Sequence, residues 1–275
     1  MAPLTSICVP AYNSARFISA TLESILAQTH KEIEVIITDD RSTDDTVSVV
    51  KRFSDPRIRL VENEVNLGIG GNWNKALSCA KGKYVKLMGA DDLIYPECIQ
   101  RQVESLEDSA NAGTVLAICN SDVINMSGKV VIRRNRLKHG LAKGQQLIRN
   151  CVRWGTNLIG EPVVGLFKRE VLAQSGMYDA SNPYWLDLIF WAELLKHGDA
   201  FLDSNRLAAF RISGGSVTTS LGLQQAAYTR RFINKIRSDP VYRTSIFDRA
   251  SGYALALPRC LLRNFLIHSW RKGNA

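Results

Sequence analysis

The stretch SICVPAYNSARFISATLESILAQTHKEIEVIITDD, residues 6–40, decides the fold. It opens with an apolar run at residues 6–10, which is typical of a strand covered on both faces. A stripe of apolar residues at helical spacing follows, with Asn13 or Ser14 as the expected N-cap, and a second strand occupies residues 33–40. This order predicts two parallel strands joined by a helical crossover.

The same alternation continues through the first half of the chain. Ser42 or Thr43 is the expected cap of a second helix, and another strand begins at Arg57. Residues 66–82 contain a glycine-rich loop and the third helix that it enters, which Gly82 can end, and residues 83–89 form the next strand. Four strand-then-helix units predict an α/β fold with a mainly parallel sheet flanked by helices.

The regular alternation fades after Cys119. We predict a hairpin that turns near Ser127 and Gly128, then a helix at residues 145–152, a strand at 163–169, a helix at 187–197 and a strand at 206–213. From residue 221 onward the pattern is chiefly helical. The chain therefore divides into residues 1–120, a second subregion at 121–220 and a helical extension at 221–275.

The composition of the 275 residues, 45% hydrophobic and 22% charged, is that of a soluble globular protein. A net charge of +9 favours anionic partners, which include phosphate-bearing small molecules, nucleic acid and acidic membrane surfaces. The six cysteines lie far apart without a C-x-x-C pair, so neither a zinc site nor a disulfide scaffold is expected. Because there is no leader-like segment and no long apolar run, we expect a cytoplasmic protein.

Polar residues follow the predicted strands at the points where they end. The carboxyl ends of parallel strands meet at one edge of the sheet, where ligands bind in open α/β folds. We therefore expect one ligand site that receives residues from four strands. The residues concerned are Tyr12, Asn13, Asp39, Asp40, Asn66, Asp91 and Asp92.

The adjacent carboxylates of Asp91 and Asp92 repel each other unless something positive lies between them. Mg²⁺ or Mn²⁺ commonly joins one or two carboxylates to the phosphates of a substrate, so this pair predicts a divalent cation site. The alternative is that one of the two aspartates only caps a helix that begins near Pro96. Asp39 and Asp40 have a similar alternative, since aspartates after strands often stabilise turns.

Several segments together resemble the nucleotide-binding half of the family 2 glycosyltransferases, which have the GT-A fold. The specific part is residues 6–46, 66–77 and 82–96, and weaker matches follow in the family's order at residues 165–180, 184–198 and 210–218. The resemblance implies a mainly parallel, Rossmann-like sheet with a smaller mixed acceptor subregion and a helical C-terminus. Residues 1–120 would bind the nucleotide-sugar, and residues 121–220 would bind the acceptor.

The resemblance also implies roles for single residues in the donor site. Asp40 would hydrogen-bond the base, Asp91 would approach the ribose and Asp92 would bind the Mg²⁺ or Mn²⁺ ion, with Asp91 beside it. Many relatives have an aspartate where this chain has Gly89, so Asp92 would be the principal metal ligand from the protein. The full set of expected donor-site residues is Pro10, Tyr12, Asp40, Asn66, Asn72, Asp91 and Arg211.

Catalysis and acceptor binding are implied for the second half of the chain. Asp187 would be the base that takes the acceptor's proton, which implies a single displacement with inversion at the anomeric carbon. Leu186 stands where the family commonly has a glutamate, and the alternative for Asp187 is a simple N-cap. Glu161 would face the acceptor. Arg211, with Ser213 and Ser216, would cover the diphosphate as a lid, or else form a surface turn.

The expected partners are a nucleoside-diphosphate sugar of the UDP or dTDP type and a saccharide or lipid-linked acceptor, in bacterial polysaccharide or lipopolysaccharide assembly. Residues 257–273 mix apolar and basic side chains, which is typical of a helix on anionic lipid or of one packed on the domain. Nucleic acid is not expected, because the basic residues are scattered and the acidic edge repels phosphate. The sequence also keeps open a degenerate family member that binds carbohydrate or nucleotide without transfer.

Overall fold

The computed structural model describes residues 3–212 and 221–273, and only the backbone of residues 266–273. Within them the strands are β1 (Thr5–Ala11), β2 (Ile33–Asp39), β3 (Ile58–Glu62), β4 (Tyr84–Leu87), β5 (Leu93–Ile94), β6 (Thr114–Ile124), β7 (Val130–Arg133), β8 (Gly140–Ala142), β9 (Gly165–Lys168) and β10 (Asp199–Arg211). The α-helices are α1 (Ile18–Leu26), α2 (Thr46–Val50), α3 (Gly68–Ser78), α4 (Cys98–Glu107), α5 (Gly144–Trp154), α6 (Leu172–Ser175), α7 (Leu186–Leu195), α8 (Gln224–Arg237) and α9 (Ile246–Gly273).

All described strands join one sheet with the order β3-β2-β1-β4-β9-β6-β10-β5, with β7 paired to β6 and β8 to β10. The pairs β1/β2, β2/β3, β1/β4 and β6/β10 are parallel. Strand β9 is antiparallel to both β4 and β6, so β1 to β4, β6 and β10 all run in one direction. This arrangement confirms the predicted mainly parallel sheet flanked by helices.

The strand directions bring distant segments of the chain to the same edge of the sheet, which we call the carboxyl edge. Strands β1 to β4, β6 and β10 end there. Strands β5 and β9 begin there, because β5 is antiparallel to β10 and β9 is antiparallel to β4. The residues just before β5 and β9 therefore meet the residues that follow β1, β2 and β10.

The core explains why the first strand reads as a continuous apolar run. All seven residues of β1 are buried, since helices cover both faces of the sheet around it. Helix α1 packs its buried stripe of Ile18, Leu22 and Ile25 on this core, as the helical spacing predicts. Full burial of each such side chain stabilises the fold by about 1.5–3 kcal/mol.

The expected caps of the first two helices, Asn13 or Ser14 and Ser42 or Thr43, are wrong. Both helices begin further along the chain, and neither has a side-chain cap at its N-cap residue. The loop residues bond to each other instead: Asn13 Oδ1 accepts from the Thr43 backbone N–H at 2.8 Å, and the Asn13 N–H donates to Ser42 Oγ at 2.9 Å. These contacts between loops, at positions where sequence suggests local caps, brace the carboxyl edge.

No described helix combines the length and the apolarity required for a transmembrane segment. The six cysteines are free thiols, as their spacing predicts.

Candidate active site

Asp40 follows β2 at the carboxyl edge and is only 2% exposed. Its Oδ1 accepts hydrogen bonds from the Leu67 backbone N–H at 2.8 Å and from Asn63 Nδ2 at 2.9 Å. Its backbone carbonyl accepts from Asn66 Nδ2 at 2.9 Å, which holds the loop ahead of α3 against β2. The carboxylate of Asp40 is therefore held rigidly by donors from the segment between β3 and α3.

Asn72 lies behind Asp40 in the interior, with 3% of its surface exposed. Its Nδ2 donates to the carbonyls of Thr38 at 3.0 Å and Ala11 at 3.3 Å, and its Oδ1 accepts from Asn63 Nδ2 at 3.0 Å. Asn72 thus ties the ends of β1 and β2 together and orients Asn63 toward Asp40. Asn72 therefore stabilises the carboxyl edge indirectly, through its hydrogen bonds to these residues.

Pro10 and Tyr12 stand at the end of β1, beside Asp40, whose backbone N–H donates to the carbonyl of Ala11 at 2.9 Å. Pro10 is buried in β1, whereas Tyr12 lies just beyond the strand and is 52% exposed. An exposed aromatic ring next to a rigid carboxylate can stack on a planar base while the carboxylate accepts its N–H groups.

Asp91 and Asp92 lie between β4 and β5, so they too reach the carboxyl edge. Asp92 is 3% exposed, and its Oδ1 accepts from the backbone N–H of Arg211 at 3.0 Å. Thr21 on α1 holds the segment by donating to the Asp92 carbonyl at 2.9 Å. Helix α4 has Glu97 at its N-cap without a side-chain hydrogen bond, so the interpretation of these aspartates as helix caps is wrong.

The missing side chain of Gly89 leaves room for the carboxylates of Asp91 and Asp92. A Cβ atom at Gly89 would lie 2.8 Å from Asp91 Oδ1 and 3.2 Å from Asp92 Oδ2, so both carboxylates turn toward this glycine. Burial, and then the charge of Asp91, raise the pKa of Asp92 well above its usual range. A cation between the two carboxylates would reverse that effect.

The donor set fits a hard divalent cation such as Mg²⁺ or Mn²⁺, which binds oxygen ligands and commonly takes only one or two of them from protein carboxylates. Among the side chains that the structure describes, in residues 3–212 and 221–265, there is no group of three or more His, Cys, Asp or Glu that could hold a metal. The pair at Gly89 therefore suits an ion that completes its coordination with substrate oxygens.

Arg211 ends β10 and is 4% exposed. Its Nε donates to the Asp91 carbonyl at 2.7 Å, and its Nη1 donates to the Asn125 carbonyl at 2.8 Å. These bonds build Arg211 into the end of the sheet, where its charge lies close to Asp91 and Asp92, rather than into a movable lid. The partners proposed for that lid, Ser213 and Ser216, lie outside the described residues.

Asp187 lies in the first turn of α7, one residue after the helix begins. Its Oδ2 accepts from Asn157 Nδ2 at 2.9 Å, and its Oδ1 accepts from the Leu188 backbone N–H at 2.7 Å. Burial, and then the charge of Glu161, raise the pKa of Asp187 to about 7. A carboxylate with this pKa suits proton transfer at neutral pH better than an ordinary aspartate does.

Glu161 connects the two halves of the site. It precedes the buried turn that enters β9, and its Oε2 lies 2.5 Å from Arg134 Nη1 in an ion pair. Burial acts to raise its pKa, but Arg134 outweighs this and holds the pKa of Glu161 below its usual range. The negative charge of Glu161 acts on Asp92 and on Asp187. Asp92, Glu161 and Asp187 therefore lie near one another at the carboxyl edge.

The sequence reasoning missed three residues that support the site, namely Asn63, Arg134 and Asn157. Asn63 carried a usable signal, because it is the first residue after β3 and strand ends were already expected to supply polar groups. Arg134 and Asn157 carried none, since their carboxylate partners lie 27 and 30 positions away along the chain.

Comparison with known proteins shows which protein family this chain resembles. Residues 6–176 match the model of glycosyl transferase family 2. An uncharacterized glycosyltransferase of Haemophilus influenzae is 28% identical over 254 residues, which cover 86% of this chain and 76% of that protein. WfaP of Escherichia coli, a UDP-Glc:alpha-D-GlcNAc-diphosphoundecaprenol beta-1,3-glucosyltransferase, is 42% identical over 104 residues, 38% of this chain and 41% of WfaP.

Among solved structures, the mannosyltransferase PcManGT of Pyrobaculum calidifontis, in complex with GDP-Man and Mn²⁺, matches with a TM-score of 0.68. The match covers 100% of this chain and 76% of PcManGT at 20% sequence identity, so it bears on the fold alone. It confirms the expected GT-A fold. Because the family model matches more than half of the chain, at residues 6–176 of 275, this protein belongs to glycosyl transferase family 2.

Proposed function

We propose that this protein transfers a sugar from a nucleoside-diphosphate sugar to an acceptor hydroxyl, with inversion at the anomeric carbon. The observation that carries the proposal is that Glu161 acts electrostatically on both Asp92 and Asp187, at the carboxyl edge that also carries the rigid Asp40. Residues 1–120 would bind the donor, residues 121–220 would bind the acceptor, and residues 221–275 would form a helical extension.

The donor nucleoside would lie along the ends of β1 and β2. Asp40 would accept hydrogen bonds from the base, while the exposed ring of Tyr12 and the buried Pro10 would form the wall beside it. Asn66 and Asn72 would keep this wall in place, because both bond to backbone carbonyls around Asp40. WfaP acts on UDP-Glc, which supports a donor of the UDP type.

The diphosphate of the donor would lie at Asp91 and Asp92, with Arg211 close to both. These two aspartates would hold Mg²⁺ or Mn²⁺, with Asp92 as the principal ligand, and PcManGT in its complex with Mn²⁺ supports this choice of ion. The bound ion would supply positive charge that stabilises the leaving diphosphate. Arg211 would add a second positive charge, fixed in place by its bonds to the carbonyls of Asp91 and Asn125.

Transfer would be a single displacement. The acceptor oxygen forms a bond to the anomeric carbon while the bond from that carbon to the phosphate oxygen breaks, and the nucleoside diphosphate leaves with the electron pair. The acceptor's hydroxyl proton passes to the carboxylate of Asp187, which Asn157 holds in position. Attack on the face opposite the leaving group inverts the anomeric carbon. Glu161 would orient the acceptor beside Asp187.

The acceptor would be a saccharide or a lipid-linked saccharide in the assembly of a bacterial polysaccharide, lipopolysaccharide or other glycolipid, as the name of WfaP supports. Helix α9 exposes large apolar side chains, among them Phe247 at 80% and Phe265 at 66%, on a chain with a net charge of +9. This combination supports peripheral contact with an anionic membrane, which we propose to be the inner face of the cell membrane.

The first experiment combines purified protein, Mn²⁺ and a panel of UDP-, dTDP- and GDP-sugars. We expect release of the nucleoside diphosphate from one donor, abolished by EDTA and reduced about 100-fold in Asp92→Asn. The same nucleotide with Mn²⁺ should raise the unfolding temperature, because ligand binding to the folded state at about 100 times Kd adds about 2.7 kcal/mol. Full activity in EDTA, or in Asp92→Asn, would refute the assigned metal site.

A further inference from the structure

Lys86 lies on β4 with its side chain completely buried, at 0% exposure. Its Nζ donates to Gln102 Oε1 at 3.1 Å and to the Gly165 carbonyl at 3.1 Å. Within the described part of the chain, no Asp or Glu side chain forms an ion pair with Lys86. Because a buried ammonium group is costly unless a negative charge accompanies it, Lys86 needs an anionic partner of another kind.

Cys98 is placed to be that partner. It is 0% exposed, and its Sγ lies 3.6 Å from Gln102 Oε1, the same oxygen that Lys86 bonds. Cys98 is also the first residue of α4, where the helix dipole favours a negative charge. Burial acts to raise the pKa of Cys98, but the hydrogen bond with Cys119 and the charge of Lys86 outweigh burial and hold that pKa below its usual range.

A second buried thiol lies beside Cys98. Cys119, on β6, is 1% exposed, and its Sγ donates to the Val164 carbonyl at 3.5 Å. Gln102 Nε2 donates to the same carbonyl at 2.7 Å, so Gln102 bridges the surroundings of the two thiols. The hydrogen bond with Cys98, and then burial, raise the pKa of Cys119 well above its usual range. One thiol of the pair therefore ionises readily while the other keeps its proton.

A cavity approaches both thiols. Its volume is about 550 Å³, and its wall includes residues 95–97 and Leu207. Residues 95–97 directly precede Cys98, and the backbone N–H of Leu207 bonds to the thiol of Cys119. One layer of residues thus separates the cavity from the two sulfurs. Hydrogen peroxide is little larger than water, so a local opening of this layer admits it.

We propose that Cys98 and Cys119 form a peroxide-sensitive site, in which Cys98 is oxidised first and Cys119 then closes a disulfide with it. The Cys98 thiolate attacks one peroxide oxygen, the O–O bond breaks, and the departing hydroxide takes a proton from Lys86 to become water. Cys98 is then a sulfenic acid. The thiol of Cys119 attacks its sulfur, and the hydroxyl group leaves with the proton of Cys119 as a second water. Each sulfur loses one electron, and the peroxide is reduced to water.

The disulfide disturbs the buried turn that follows Glu161. Val164 and Gly165 lie at the end of this turn, and their carbonyls accept the hydrogen bonds of Cys119 and Lys86. Oxidation removes the first donor and the charge of the second, so the turn is held less firmly and Glu161 can shift. Transfer should therefore slow in the oxidised protein. This effect on transfer rests on the proposed function, whereas formation of the disulfide does not.

The test is treatment of the reduced chain with a small excess of hydrogen peroxide, followed by alkylation of free thiols and peptide mass spectrometry. We expect a linked peptide that joins Cys98 to Cys119 and that dithiothreitol separates. Cys8 and Cys151 are internal controls, because both are 0% exposed and burial raises the pKa of each, so both should stay free thiols. Oxidation of these two at the same rate as Cys98, or no linked peptide, would overturn the proposal.

Two substitutions separate the chemical steps. Cys119→Ser should stop the reaction at the Cys98 sulfenic acid, which dimedone traps. Lys86→Met should slow oxidation of Cys98 roughly tenfold, the change in thiolate fraction that one pKa unit gives. Circular dichroism shows whether Lys86→Met folds, and Cys119→Ser decides the matter if it does not. Absence of trapped sulfenic acid in Cys119→Ser, or an unchanged rate in folded Lys86→Met, would contradict the proposed chemistry.

Release of the nucleoside diphosphate, measured before and after oxidation, tests the consequence for transfer. We expect peroxide to lower this turnover, dithiothreitol to restore it, and Cys98→Ser to keep its turnover after peroxide. A disulfide that forms without any loss of turnover would overturn the link to Glu161. Absence of turnover in the reduced protein would refute the proposed function instead, and the mass spectra would still decide whether the disulfide forms.

Discussion

Two sets of carboxylates stand on the same carboxyl edge and are held in opposite ways. Asp40 is buried and accepts hydrogen bonds from Leu67 and Asn63, so its charge is stabilised within the protein. Burial, and then the charges of Asp91 and Glu161 respectively, raise the pKa of Asp92 and of Asp187. The carboxylate of Asp40 has its hydrogen-bond donors within the protein. Asp92 and Asp187, in contrast, are stabilised by a bound cation or proton.

This difference agrees with the roles proposed for the two regions. A residue that recognises a base has to keep one position, which a rigid set of hydrogen-bond donors provides. A metal ligand and a proton acceptor have to change state during each turnover, and crowding of like charges raises their affinity for positive species. The three predictions below test this comparison, beginning with the largest expected effect.

Asp187→Asn should lower turnover, measured as release of the nucleoside diphosphate, by about 10²- to 10⁴-fold, the range of general base catalysis. The unfolding temperature should change little, because removal of a buried charge near Glu161 offsets the loss of the oxygen that accepts from Asn157 Nδ2. Glu193→Gln is the control, since Glu193 lies on the same helix but pairs with Lys196 at 2.5 Å. Retained turnover, or a marked loss of stability, would contradict the role given to Asp187.

Asp40→Asn should weaken binding of UDP with Mn²⁺ roughly tenfold and should also destabilise the protein by about 1–3 kcal/mol, because buried donors lose a charged acceptor. Asp39→Asn is the matched neighbour: its Oδ2 accepts from the Ser42 backbone N–H at 2.9 Å within a turn, so UDP affinity should be unchanged. Calorimetry and thermal unfolding measure both effects. Equal loss of UDP binding in the two variants would show that turn geometry, and not the Asp40 carboxylate, decides affinity.

Glu161→Gln should shift the pH profile of turnover, which is the smallest of the three expected effects on activity. A base works in its ionised form, so turnover should rise with pH through about 7, the pKa of Asp187. Removal of the Glu161 charge lowers that pKa, and the freed Arg134 acts in the same direction, so the rise should move down by roughly half to one pH unit. Turnover recorded between about pH 5 and pH 9 tests this. An unchanged pH profile would show that the charge of Glu161 does not influence the pKa of Asp187.

The sequence alone predicts the positions of the strands and of the polar residues that follow them. The apolar run of β1 and the aspartate pairs at Asp40 and Asp92 are patterns within a few consecutive residues. A strand that is buried on both faces consists almost entirely of apolar residues, so its burial can be predicted from its composition. The sequence also marked Gly89 as unusual, although its meaning, room for two carboxylates that face each other, became clear only from their positions.

The sequence by itself determined that strands alternate with helices and that acidic residues follow the strands, because these properties arise from local periodicity. Only the tertiary structure decided which charges meet. The antiparallel entry of β9 brings Glu161 near Asp92 and Asp187, and the return of α9 sets Arg263 over Trp185. Electrostatic interactions depend on the distance between charges in space. Residues that lie dozens of positions apart in sequence come close to one another only when the sheet and its helices pack.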